Sequence, residues 1–237
     1  MRNIFRFFLY SLVALVAFGC EQTSEEIDCE DILEKTYSAS SLNNFEKNKF
    51  NDLLKNRYPE FDVMFEEAAK ETKLEKNLLA AISFQESQWD PKAISNMGVR
   101  GMMMVTLETA ALVGVEKRLD PEQNIKGGAK YFAMLKEKNM IGPTEADKLA
   151  ATLASYNLGP TNMINIASQI NEDISLVTWI EIQNKLKTMK GSELNLTDKG
   201  SYTRAQQALD YVDRVKDYYR LLSAHSCIAP KDQLSFF

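Results

Sequence analysis

From Phe61 onward the apolar residues return at intervals of three and four, a period that buries one side of a helix and suits no half-buried strand. Phe61, Met64, Phe65, Ala68 and Ala69 make one stripe, with Glu66, Glu67 and Lys70 outside it. Leu79, Ile82 and Glu86 share a face of the next helix, which Asp90-Pro91 should end, because the residue before proline avoids helical geometry. "DPEQNIKGGAKYFAML" predicts a helix with Asp120 as N-cap, Pro121 at the first position and Gln123 completing a capping box. Ile125, Ala129, Phe132 and Leu135 form its buried face. Gly127-Gly128 within it should cost roughly 1 kcal/mol each against alanine, offset by close approach of another backbone. "EADKLAATLASYNLGP" is a further helix, stopped by Gly159-Pro160. Ser175 to Met189 reads as helix, although "SLVTWIEIQ" partly alternates and fits a strand as well. "KGSELNLTDKG" is a loop. Ala205, Ala208, Val212, Val215, Tyr219 and Leu222 then mark a long C-terminal helix. With no internal repeat and no convincing set of strands, the expected fold is mostly α, in one domain.

The N-terminus reads as processing rather than fold. Arg2 and Arg6 accompany an apolar run from Phe7 to Phe18, too short to span a bilayer comfortably and suited to a signal peptide over residues 1–19. It ends "VAFGC", which resembles a bacterial lipobox with Cys20 as the lipidated residue. Residues 20–44 are polar and acidic, a lipid-anchored tether with a short helix around Ile32. Residues 45–225 hold the folded domain and 226–237 a tail. Besides Cys20 there are two cysteines, Cys29 and Cys227, which in an exported protein read as a disulfide. The net charge of −5 lacks the basic footprint of a nucleic-acid binder. A lone histidine, His225, sets aside a histidine-rich metal site or a serine–histidine triad.

Glu86 is the polar residue that the pattern does not explain. It shares the face of Leu79 and Ile82, so burial should raise its pKa and hold it protonated near neutrality. That is what a general acid needs to protonate a poor leaving group. Next comes "SNMGVRGMMM", whose Gly98 and Gly101 suit tight turns and whose methionines offer an adaptable apolar wall. A buried acid beside such a loop suggests a substrate groove.

These residues carry a resemblance. "QES-W-P-A-S--G-RG-MM" from Gln85 to Met103 resembles the catalytic motif of the lytic transglycosylases. It continues through "DPEQNIKGGAKYF" (120–132), "ASYNLGP" (154–160) and "ALDYVDRVKDYY" (208–219), in order. "YPEFDVMFEEAAKETKLEKNLLAAI" (58–82) is similar to the lead-in of the F-type, membrane-bound branch, which also has methionine at Met104 where many relatives have glutamine. The F-type enzymes carry an N-terminal solute-binding-like domain as well, for which the chain has no room.

The resemblance implies a goose-type, lysozyme-like helical domain acting on peptidoglycan strands without cofactor or metal. It makes Glu86 the sole catalytic acid and base and Ser95 a contact of the substrate N-acetyl group. Tyr156 and Asn157 become the pair lining the cleft, and Tyr211 a neighbour of the carboxylate. Gln85, Gly98 and Met103 join them as substrate-binding positions. The implied reaction is non-hydrolytic: it breaks the bond from N-acetylmuramic acid to N-acetylglucosamine and closes a 1,6-anhydro ring. A hydrolytic muramidase would need a second carboxylate about 5–9.5 Å from the first. Asp90 and Glu108 are the candidates near in sequence. A non-catalytic wall-binding lipoprotein is the other alternative. Glu21 after Cys20, rather than aspartate, points to an outer-membrane lipoprotein facing the periplasm.

Overall fold

The computed structural model describes residues 28–189 and 203–227. The signal peptide, Cys20, the loop "KGSELNLTDKG" and the tail beyond Cys227 lie outside them. Ten α-helices occupy the described residues: α1 (Cys29–Ala39), α2 (Asn44–Asn56), α3 (Asp62–Thr72), α4 (Lys76–Ser87), α5 (Leu107–Val113), α6 (Pro121–Lys138), α7 (Glu145–Leu158), α8 (Pro160–Ser168), α9 (Trp179–Thr188) and α10 (Arg204–His225). The expectation of a mostly helical fold holds. The segment that also fitted a strand splits into a 3-10 turn over Ile174–Leu176 and α9, which Thr178 and Glu181 start with a reciprocal capping box.

The helices close around one apolar core. The expected stripes face it: Phe61, Phe65 and Ala68 on α3 and its entry, Ile125, Ala129 and Phe132 on α6, Ala208, Val212 and Val215 on α10. Helix α10 packs on α4, α7 and α1, and α3 packs on α6. At its C-terminal end α10 holds α1, which starts within the acidic segment expected to be a tether. Cys29 and Cys227 are disulfide-bonded there, their Cα atoms 5.3 Å apart. Ser41 donates to the buried carboxylate of Asp217 through its backbone N–H (3.0 Å) and its hydroxyl (2.5 Å). The Tyr37 hydroxyl donates to the Asn51 side-chain oxygen and lies within hydrogen-bond distance of His225 Nε2, at 2.9 Å.

Three local expectations change. Helix α4 ends at Ser87, before Asp90-Pro91, because Gln88 and Trp89 both take left-handed backbone (φ 56° and 58°). The capping box of α6 is half made. Asp120 caps the Gln123 N–H (2.9 Å), but the Gln123 side chain turns away to accept from the N–H groups of Glu116 and Lys117, both at 3.1 Å. The glycine pair of α6 meets side chains, not backbone. A Cβ on Gly127 would come within 2.2 Å of Val115, and one on Gly128 within 2.3 Å of Met103.

Candidate active site

Glu86 sits in the last turn of α4, where the chain is turned out of the helix with force. Two successive non-glycine residues in the left-handed region cost on the order of 1–3 kcal/mol each. They are held there by contacts from elsewhere. The fully buried Trp89 donates its indole N–H back to the Ala80 carbonyl at 2.9 Å, and Arg57 donates to the Gln88 carbonyl at 3.0 Å. The turn delivers the following loop across the end of α4. Ser83 and Ser87 both donate to the Met102 carbonyl, at 3.1 and 2.8 Å.

A single buried side chain organises that loop. Asn124, on α6, accepts from the Met103 N–H (2.7 Å) and donates to the carbonyls of Arg100 (2.9 Å) and Arg118 (2.7 Å). Gly101 lies against it with φ 80°, and a Cβ there would meet the Arg118 carbonyl oxygen at 2.3 Å. Both conformation and space therefore require glycine. Gly98, at φ 75°, faces open space, so its conformation alone is the reason for glycine.

Glu86 keeps a little contact with solvent, yet protein surrounds its carboxyl closely. Burial pushes its pKa from the usual 4.5 up to about 7, against the Tyr211 hydroxyl and the positive charge of Arg204, which favour ionisation. The Tyr211 hydroxyl lies against the carboxyl without regular hydrogen-bond geometry, and no other described group takes it. Tyr156 donates to the Met103 carbonyl at 2.7 Å. Burial first, then the nearby Glu86 charge, hold its phenol well above the usual range. The rings of Tyr131 and Phe132 flank it at 5.7 and 5.9 Å. The side-chain oxygen of Asn157 is buried without a partner, while its backbone carbonyl accepts from Arg204 at 3.3 Å. The acid thus sits among polar groups that the fold leaves open.

The other expected residues separate. Ser95 is partly buried, and its hydroxyl accepts from the N–H groups of Met97 (3.3 Å) and Val99 (3.1 Å), shaping its own turn. Gly98 offers its carbonyl to Arg118 at 2.9 Å. Gln85 faces away from Glu86's neighbours into a separate polar cavity between α2, α4 and α10. Met103 needs correction as a substrate contact. Its side chain is wholly buried against Gly128, and its part in the site is the carbonyl that holds Tyr156. Met102 is wholly buried too, so two of the three methionines of the expected wall belong to the core, while Met104 stays partly exposed. Neither Asp90 nor Glu108 is among the groups that shift Glu86. Asp90 caps the Lys92 N–H of its own turn at 2.9 Å, and Glu108 is exposed in the first turn of α5. Among the described residues no cluster of three His, Cys, Asp or Glu side chains could hold a metal ion.

Sequence reasoning missed two residues. Asn124 had a signal, since it is a polar residue four before Gly128 on a helix face that turns out to be buried. Arg204 had none: it follows a polar loop, and only the fold brings it to Asn157 and Glu86.

Residues 63–175 match the family described as the transglycosylase SLT domain. The match takes in Glu86, Tyr156 and Asn157 and stops short of α10, so Arg204 and Tyr211 lie beyond it. The chain is also similar to membrane-bound lytic murein transglycosylase F 1 of Alkalilimnicola ehrlichii, 39% identical over 73% of this chain and 35% of that relative. Against membrane-bound lytic murein transglycosylase F of Maricaulis maris the identity is 38%, over 72% of this chain and 38% of the relative. The counterpart from Photobacterium profundum is 35% identical over 73% and 34%. The chain spans little more than a third of the length of these relatives.

Proposed function

We propose, from the premise that residues 63–175 belong to the transglycosylase SLT domain family, that the chain is a peptidoglycan lytic transglycosylase with Glu86 as its acid and base. The observation that carries this reading is a single carboxyl with a pKa near 7, with no other carboxylate among the groups acting on it. Such a group starts protonated and can give its proton to the oxygen linking N-acetylmuramic acid to N-acetylglucosamine. The substrate's N-acetyl carbonyl stabilises the developing positive charge at the sugar carbon, as in substrate-assisted glycosidases. Glu86, now an anion, faces the Tyr211 hydroxyl and the Arg204 charge, which favour that form. It takes the proton of the muramic acid C6 hydroxyl as that oxygen closes the 1,6-anhydro ring. No water enters the bond change, so no second carboxylate is required. A goose-type lysozyme-like reading of the helical body belongs to the same proposal, with Ser95, Tyr156 and Asn157 along the cleft.

Product analysis by mass spectrometry on purified peptidoglycan in labelled water tests the reaction. Chains ending in 1,6-anhydromuramic acid without label are expected. Reducing ends carrying the label would make the protein a hydrolase, and binding without cleavage would make it a wall-binding protein.

We also place the protein at the outer membrane, anchored through Cys20 and facing the periplasm. The support is the "VAFGC" sequence followed by Glu21. One acyl chain anchors only marginally, so stable attachment needs the several chains of a bacterial lipoprotein. Fractionation of wild type and Cys20→Ala tests it. Both forms in the soluble fraction would end the idea.

A further inference from the structure

Neighbouring residues on a helix point about 100° apart. Gln85 therefore opens to a different side of α4 from Glu86, and Asp210 to a different side of α10 from Tyr211. With Gln88, just past the end of α4, and Arg214 on α10 they line a cavity of about 440 Å³ to which neither Glu86 nor Tyr211 contributes, and whose remaining wall is α2, with Phe45 and Lys49. Helix α2 lies outside the matched domain segment.

The chemistry of this cavity differs from that of a sugar cleft. It holds ionisable groups of both signs. Arg214 pairs with Glu46 at 2.8 Å, and Asp210 accepts from the Gln206 amide at 2.9 Å. Lys49 makes no ion pair among the described residues, and the side-chain amides of Gln85 and Gln88 make no hydrogen bond among them. Phe45 stands 73% exposed at the rim, and Phe84 and Tyr218 add further aromatic surface to the lining. The glycan's N-acetyl and hydroxyl groups carry no charge. The charges of peptidoglycan are on the short peptide borne by each muramic acid, which has free carboxylates and an amine.

We propose that this cavity receives the peptide stem of the substrate. Lys49 and Arg214 face its carboxylates, Asp210 its amine, the two glutamines its amide backbone, and Phe45 its alkyl parts. Because α4 and α10 also carry Glu86 and Tyr211, a stem seated here sets which muramic acid is presented to the acid. This rests on the lytic reading for its substrate, though not for its binding test.

Two measurements separate the readings. In the first, isotope-edited spectra of the intact protein are followed as the free stem tetrapeptide L-Ala-γ-D-Glu-diaminopimelate-D-Ala is added. Shifts should gather at Lys49, Gln88 and Asp210, and Lys49→Ala and Asp210→Asn should each weaken binding severalfold. Shifts elsewhere, or none, would overturn the proposal. In the second, kcat/KM is compared on stem-bearing strands and on strands stripped of stems by an amidase. Wild type should favour the former, and the two substitutions should shrink that ratio by about tenfold together. A ratio that neither variant moves would overturn the proposal, and a misfolded variant lowers both rates without moving it. If wild type cuts neither strand, the lytic reading falls and the titration alone decides this one.

Discussion

The two halves of α10 treat their buried polar groups in opposite ways. Toward the C-terminus they are paired: Asp217 accepts twice from Ser41, the Tyr219 hydroxyl donates to Glu75 at 2.6 Å, and Asn77 reaches Ser223 at 3.4 Å. Toward the N-terminus, the buried Tyr211 hydroxyl has no regular partner and faces an acid that burial keeps protonated. One helix, one packing partner in α4, and two kinds of tyrosine result. Unpaired buried polar groups cost free energy. On the proposed lytic reading the open half serves the chemistry, and the paired half stabilises the molecule.

The sharpest way to break this contrast is to remove the acid. Glu86→Gln keeps the shape but can neither give nor take the required proton, so cleavage should fall by at least about 10²–10⁴-fold. Turnover of purified strands reads it; a variant retaining a tenth of the activity would move the chemistry elsewhere.

At the other end, opening the disulfide removes a constraint between positions 198 residues apart, nominally about 5 kcal/mol on the chain-entropy account. Cys29→Ala with Cys227→Ala should lower the urea midpoint by more than any single hydrogen-bond deletion. Thiols of the native protein that alkylate without reductant would show that the staple is not made.

The acid should also leave a mark on stability. Its folded pKa of about 7 exceeds the usual 4.5 of the unfolded chain, so between those values the folded state keeps a proton that the unfolded state has lost. The contribution is complete below about 4.5, declines as pH rises and is gone above about 7. Its span is at most about 3 kcal/mol, less any relief from the solvent that reaches the group. Urea titrations of wild type across that range should show the slope, and Glu86→Gln should flatten it. Cleavage should decline above about pH 7, as the proton donor is lost. A flat stability difference between the two proteins would remove burial as the tuning device.

The smallest effects compare the tyrosines directly. Tyr219→Phe strands part of Glu75's bonding and should cost about 1–2 kcal/mol of stability. Tyr211→Phe deletes a hydroxyl without a regular partner, so stability should hold or rise. Its cleavage should fall about tenfold, because the ionised acid loses a nearby donor worth about 1.5 kcal/mol. Parallel denaturation and rate measurements on the pair decide it. Equal destabilisation would mean that the halves of α10 do not differ.

What the chain determined by itself is what neighbours within a turn can carry. The stripes of α3, α6 and α10, the caps at Asp120 and Gly159, and the place of Glu86 on a buried face follow from spacings of three and four. The quoted motifs likewise led to the family whose domain residues 63–175 match. The tertiary structure decided which polar groups meet. Gln88 and Trp89 turn left-handed because an indole reaches back to Ala80 and an arginine comes from α2's end, contacts that a spacing of residues does not encode. Met103 reads equally well as a cleft wall or as core; it is core because Gly128 leaves room for it. Arg204 reaches the acid across a gap of 47 residues from Asn157, and α2 forms a wall of the polar cavity from outside the matched segment. Periodicity fixes a helix and its buried face, since both depend on the adjacent turn. The pairing of a hydroxyl, an amide or a guanidinium depends on which helix arrives opposite, and only the closed core sets that.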